Sequence, residues 1–334
     1  MTDEIDPKDF EDTARAVVEA CAKASDGRAR ARLLAEAGLF GVIAPEEAGG
    51  LGLSLRHAVP VVAAAGSGLL AYPLIEAMVL ARALAGVDAA EAGRILSGES
   101  LATIAWSGVA EDGLVGHAPL AEEADRILIF RADGGAVLAA ASNVVRVEPS
   151  SDRWDVDLPS APVRTDGPVT GIELGAEAVR ALRADADLLR AAHILGSASH
   201  CLSLAIGHAQ GREQFGRPLS SYQVLRHKMS RDALVTETIR NGIARALSAH
   251  REDADLVREA AWLNAARSGP AVAENAIQIF GGMGFTWEVP LHRHLRQMRA
   301  QGSYGAAADL LERFGQALIA SSSNEWYREE NHAN

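Results

Sequence analysis

The chain has 334 residues, enough for one large core or two to three small ones, and 48% of them are apolar against 23% charged. Its 32 basic and 44 acidic residues leave a net charge of −12. That field repels phosphodiester backbones and anionic lipid surfaces, so nucleic-acid and membrane partners are not expected, and a phosphate-bearing ligand has to be held by a few placed cations.

The two cysteines, Cys21 and Cys201, stand far apart with no CxxC spacing. They read as small buried apolar groups in a reducing cytoplasm, with neither a disulfide framework nor a zinc site. The start, MTDEIDPKDFED, is acidic and lacks the apolar run of a signal peptide. The most apolar stretch, residues 58–84, is broken by Pro60, Pro73 and Glu76, which predicts buried helices joined by a turn and no membrane span. A cytoplasmic protein is expected.

Residues 1–100 read as a helical domain, with apolar residues recurring every three or four positions through 10–24, 29–37 and 58–65. Between them GLFGVIAPEEAGGLGLS (38–54) is a small-residue connector. Composition changes near Leu101, where LATIAWSG, ADRILIF and GAVLAAAS are short β-prone runs, two of them joined across Asp133-Gly134-Gly135 as a hairpin would be. A small β domain is therefore predicted over 101–175. From 176 to 334 the pattern is helical again, through 178–210, 221–250, 253–280 and 305–321, and the polar tail SSSNEWYREENHAN frays. The fold class is α+β: an N-terminal helical domain, a middle β domain and a C-terminal four-helix bundle.

Two motifs in the last block carry chemistry. GREQFGRPLSSYQ (211–223) follows one long helix and opens the next. By itself Arg212 can be a cation complementing a helix C-terminus, and Phe-Gly-Arg-Pro a connector. AIQIFGGMGFTWEVPLHRHLRQMRA (276–300) carries Gln278 on a helix that ends at Gly281-Gly282, where the glycines can be C-caps and nothing more. Together they supply an Arg fork, an amide side chain and a glycine turn with free N–H groups, the parts that hold a pyrophosphate.

The pattern RxxFGxPLxxxQ … QIxGGxGFxxExP, with LLAEAGLFGVIAPEEAGGLGLSL near the start, resembles the acyl-CoA dehydrogenase family over most of the chain. The resemblance implies an acyl-CoA dehydrogenase fold of the α–β–α order found above, FAD as cofactor and an acyl-CoA substrate. It implies that Arg212, Phe215, Gln223, Gln278, Gly281 and Gly282 hold the adenosine–pyrophosphate part of a flavin seated in a neighbouring subunit.

The departures are as specific as the matches. The family's Thr-Glu-Pro, Ala-Gly-Ser-Asp and Trp-Ile-Thr elements around the flavin ring have no counterpart in LATIAWSGVAEDG (101–113), and Trp106 reads as a core residue. The family's chemistry takes an α-proton with a glutamate while flavin N5 receives a β-hydride. Tyr304 stands at the usual glutamate position, and a phenol with an ordinary pKa of about 10 is a poor base. At the second known position stands Ala186, followed by Asp187, which reads as a helix-end dipole partner or, alternatively, a displaced base. No catalytic residue is thus expected here. The reading that follows is one subunit of a heteromeric, α2β2 dehydrogenase, similar to the bacterial enzymes that act on sterol side-chain CoA thioesters, with a homologous partner supplying flavin pocket and glutamate. A self-sufficient homotetramer and a non-catalytic scaffold subunit are the alternatives.

Overall fold

Short acidic residues open three of the first five helices. Asp6 accepts the Lys8 N–H at 3.0 Å before α1 (Pro7–Cys21), Asp26 accepts the Ala29 N–H at 2.8 Å before α2 (Gly27–Glu36), and Asp88 accepts the Glu91 N–H at 3.0 Å before α5 (Ala89–Leu96). Between α2 and α5 lie α3 (Leu55–Ser67) and α4 (Leu74–Leu84), and α4 is buried on nearly all sides. The computed structural model describes residues 5–142, 145–147, 155–249, 254–305 and 307–322. The polar tail, from residue 323 onward, and the stretch 148–154 lie outside the described residues.

The middle region is a two-layer β sandwich. Strands β1 (Ala102–Ala105), β3 (Arg126–Phe130), β4 (Ala136–Ala140) and β7 (Gly171–Leu174) form one sheet in the order β1-β3-β4-β7, with β1 and β3 parallel. Strands β2 (Leu114–Pro119), β6 (Ser160–Thr165) and β5 (Val145–Val147) form the second. The Asp133-Gly134-Gly135 turn joins β3 to β4 in antiparallel register, Phe130 opposite Ala136. Alternation along β3 and β4 sorts the core. Ile127, Ile129, Val137 and Ala139 face the second sheet, while Leu128, Phe130, Ala136 and Leu138 join the helical core.

The last region is built on α6 (Ala176–Gly211), a helix of 36 residues. Around it pack α7 (Gln223–Leu247), α8 (Ala254–Phe280) and α9 (Leu291–Ser303), followed by α10 (Ala307–Ser322). The periodicity reading passed over α9, whose stretch is rich in Arg and His. It buries Leu291, His294, Gln297, Met298 and Gln301, a stripe in which polar side chains take apolar positions.

One hydrophobic core runs from Ala14 of α1 to Tyr304 beyond α9, so the N-terminal helices and α6 share it. The closest approach is between α3 and α6. A Cβ on Gly66 would lie 2.1 Å from the His193 carbonyl oxygen, and one on Gly196 only 1.9 Å from that of Ala63. Only glycine permits the two backbones to meet there. The cysteines are free and buried, and burial pushes the thiols of Cys21 and Cys201 up to about 11 and about 12. Among the described residues no helix is long and apolar enough to cross a membrane, and no metal-ligating cluster occurs.

Candidate cofactor and active site

Arg212 is placed by the end of α6. Its backbone leaves the helix in an extended conformation (φ −94°, ψ 125°), while its N–H still donates to the His208 carbonyl at 2.9 Å. A two-residue ribbon, β8 (Glu213–Gln214) against β9 (Arg217–Pro218), then reverses the chain, with Phe215 at φ +52° and Gly216 at φ +78° on its tip. The ribbon is held by the Tyr222 hydroxyl donating to the Gln214 carbonyl at 2.8 Å and by the Arg217 guanidinium 4.1 Å over the Tyr222 ring.

The second motif reaches the same place from α8. Gly281 turns the chain at φ +65°, a left-handed conformation that disfavours a side chain, and Gly282 follows it, exposed. Arg212 and Gly282 line one open cavity of about 460 Å³, together with His208, Gly211, Phe280 and Met283. Phe215, Gln223, Gln278 and Gly281 lie exposed on the segments that flank it and are not part of its wall. Large apolar groups on these segments face solvent: Phe215 is 93% exposed, Phe285 74%, Val224 73% and Trp287 70%. Side chains of that size left uncovered mark a surface for another macromolecule.

Some distance along the chain, four elements bring charge into the core. Glu76 of α4 accepts a hydrogen bond from the Trp106 indole N–H at 2.8 Å. The Arg190 guanidinium of α6 lies 3.7 Å from the centroid of the Trp106 ring and 5.7 Å from that of Tyr304. Arg190 also donates to Asp187 at 2.7 Å. Burial drives every acid here toward its neutral form. It raises the Glu76 carboxyl against the pull of Arg190 and Trp106, and it raises the Tyr304 phenol far above its ordinary range. The same cause lifts Asp187 to about 6 despite its Arg190 partner.

Next to Glu76 the packing leaves about 10 Å³ between Val62, Leu74, Ile75, His193 and Gln301, room for no more than a water molecule. Beside Tyr304 a cleft of about 740 Å³ opens between Ser107 past β1, the strand residues His117 and Ser160, and the helical residues Arg267, Pro270, Glu274 and Arg299.

Residues 181–311 match the family model described as "Acyl-CoA dehydrogenase, C-terminal domain". Acyl-CoA dehydrogenase IpdE2 of Mycobacterium tuberculosis is 31% identical over 305 residues, covering 88% of this chain and 86% of that protein. The chain belongs to the acyl-CoA dehydrogenase family. Acyl-CoA dehydrogenase FadE34 of the same organism is 32% identical over 285 residues, which is 81% of this chain and 39% of FadE34, so the chain spans well under half of that relative. Among solved structures, the "Tcur3481-Tcur3483 steroid ACAD G363A variant" superposes with a TM-score of 0.81 at 25% identity, over 95% of this chain and 99% of the matched one. The α+β acyl-CoA dehydrogenase fold is thereby established.

The structure places the two residues expected at the glutamate positions, and neither is an acid. Tyr304 is buried, just past α9, and Ala186 is fully buried inside α6. The helix-end role expected for Asp187 is not what the structure has. α6 begins at Ala176, so Asp187 sits mid-helix, 9% exposed and tied to Arg190. Sequence reading missed Glu76 and Arg190. For Glu76 the signal was a lone acid among Leu, Ile, Ala and Met; Arg190 follows Arg183, Asp185 and Asp187, and its pairing with Asp187 three residues earlier was the local signal.

Proposed function

We propose that this acyl-CoA dehydrogenase chain works as the partner-dependent subunit of a heteromeric enzyme. It lends Arg212 and the Gly281-Gly282 turn, with Gln278, Phe215 and Gln223 at the rim, to the diphosphate of an FAD seated in a homologous partner, which supplies the flavin pocket and the catalytic glutamate. When bound, FAD, the family's cofactor, would supply the hydride acceptor for desaturation of an acyl-CoA.

The observation that carries this reading is the state of the acid positions. Tyr304 and Ala186 offer no carboxylate, Asp187 is engaged by Arg190, and the space beside Glu76 is about 10 Å³, too small for any acyl group. Support comes also from the cation and glycine turn that meet in one cavity open to solvent, rimmed by exposed aromatic groups suited to a partner's surface. A heteromer of the α2β2 kind and a steroid-derived acyl-CoA substrate extend the reading. Both draw on the likeness to Tcur3481-Tcur3483, described as a steroid acyl-CoA dehydrogenase.

The test is co-expression with a neighbouring full-length homologue followed by flavin quantification. The complex is expected to carry FAD and this chain alone to lack it. A self-sufficient homotetramer draws on the cleft of about 740 Å³ beside Tyr304, which leaves room for a ligand of the chain's own. A yellow homo-oligomer of this chain with a full complement of FAD would establish that second reading and overturn the first.

A further inference from the structure

His208 stands one helical turn before Arg212, and the two side chains open into the same cavity of about 460 Å³. The imidazole is stacked on Phe280, ring centroids 4.0 Å apart and planes 19° from parallel, so its plane is fixed by α8 while its edge stays at the cavity. Among the described residues neither ring nitrogen has a hydrogen-bond partner. A half-buried imidazole held rigidly beside a cation, with both nitrogens unused, is positioned for an acceptor that arrives from outside. We infer that His208 is a second, protonatable anchor for the dinucleotide diphosphate, taking up a proton as the anion binds beside Arg212.

The electrostatics support that assignment. Burial first, and the Arg212 charge second, push the imidazole below its ordinary 6.5, so the ring is neutral at neutral pH while the cavity is empty. Arg212 on its own helix is the charged group that faces it; Phe280, Gly282 and Met283, which α8 and the following turn bring to the cavity, carry no charge. A diphosphate carries two negative charges, and Arg212 offsets one. Placed between Arg212 and His208, it reverses the local field, and the imidazole takes a proton from solvent and donates N–H to phosphate oxygen. Nothing is oxidised or reduced, and the only transfer is one proton from water to the ring. The chain's acidic surface supplies no other balancing charge at this cavity.

This inference rests on the clamp reading above, and its test separates the two. FAD is titrated into the flavin-depleted complex with its co-expressed partner from pH 5.5 to 8.0, following flavin fluorescence. A shift of about one pKa unit on the bound histidine makes binding about tenfold tighter at the acid end. Calorimetry in buffers of different ionisation heat should then report proton uptake. His208→Gln should match the wild type at pH 8.0, lose the acid gain and take up no proton. His208→Lys, a cation throughout, should bind tightly at both ends with little slope, which also shows that the site still folds. A wild-type slope and proton uptake in His208→Gln would overturn the inference. Wild-type FAD affinity in Arg212→Ala would instead remove the clamp on which it stands.

Discussion

Arg190 lies 3.7 Å over the ring of Trp106, and both are buried, at 1% and 3% exposure. That contact ties α6 to the residue that follows β1 and brings a full positive charge between two buried carboxyls, Glu76 on the indole N–H and Asp187 on the guanidinium. Nε and Nη2 of Arg190 have no hydrogen-bond partner among the described residues. The cation is therefore held by charge and by the ring face more than by hydrogen bonds.

Removing that cation should be costly. Arg190→Met leaves Glu76 and Asp187 buried without compensation, and breaking a buried pair from one side costs about 3–5 kcal/mol. The loss, read from urea unfolding midpoints at pH 7.5 and 5.5, should shrink toward acid pH, because burial favours the protonated form of both carboxyls. A variant as stable as the wild type at both pH values would mean that Arg190 is balanced by water and not by these acids.

Asp187 should be dispensable for turnover. It is bound to Arg190 at 2.7 Å and lines none of the cavities described above, so Asp187→Asn in the complex is expected to leave steady-state acyl-CoA oxidation within about twofold. Glu→Gln at the partner's base should lose about 10²–10⁴-fold, the usual worth of a general base. A collapse with the first change and not the second would make this chain the catalytic one.

The clamp makes a graded prediction. On the proposed clamp, Arg212→Ala should cost a charge-assisted contact to phosphate worth about 1.5–3 kcal/mol, or one to two decades in FAD affinity at about 1.4 kcal/mol per decade. Arg212→Lys should recover part of it, because an ammonium cannot present the two-pronged fork. Retained thermal midpoints with lowered flavin content are the expected pattern for both. Unaltered flavin content in Arg212→Ala would return Arg212 to a helix-end role.

His193 predicts a pH dependence with a definite sign. It is buried in α6 with Nδ1 unpartnered among the described residues, and burial pulls its pKa from 6.5 to about 4. The folded state keeps it neutral where the unfolded chain protonates it. The stability it contributes is complete above pH 6.5 and is lost as pH falls through about 4. Asp187, lifted to about 6, works the other way: its contribution is complete below 3.8 and lost as pH rises through about 6. The two oppose each other in the wild type. His193→Gln removes the first, so relative to the wild type it should gain roughly 1.4 kcal/mol for each pH unit of acidification between 6.5 and 4. Urea midpoints of both proteins at pH 7.5, 5.5 and 4.5 read this directly. A difference between them that stays constant with pH would show that His193 titrates as an ordinary exposed histidine.

How much of this was written in the sequence depends on the range of the interactions involved. The Asp133-Gly134-Gly135 hairpin and the long helix of the third region are local: a turn and a periodic apolar stripe each act within a few residues. The two motifs around Arg212 and Gly281-Gly282 were legible for the same reason, since each is a chain reversal with its own residue requirements. Their meeting in one cavity was not, because α7 and α8, of 25 and 27 residues, have to fold back first. The core cluster was beyond reach altogether. Glu76, Trp106, Arg190 and Tyr304 come from four separate elements, and a lone charge in an apolar stretch does not name its counterion. Nor does the sequence measure space. That Tyr304 and Ala186 carry no carboxyl is a matter of residue type alone. That the room beside Glu76 has closed to about 10 Å³, with Gly66 and Gly196 letting α3 press onto α6, is a consequence of packing that only the tertiary structure decides.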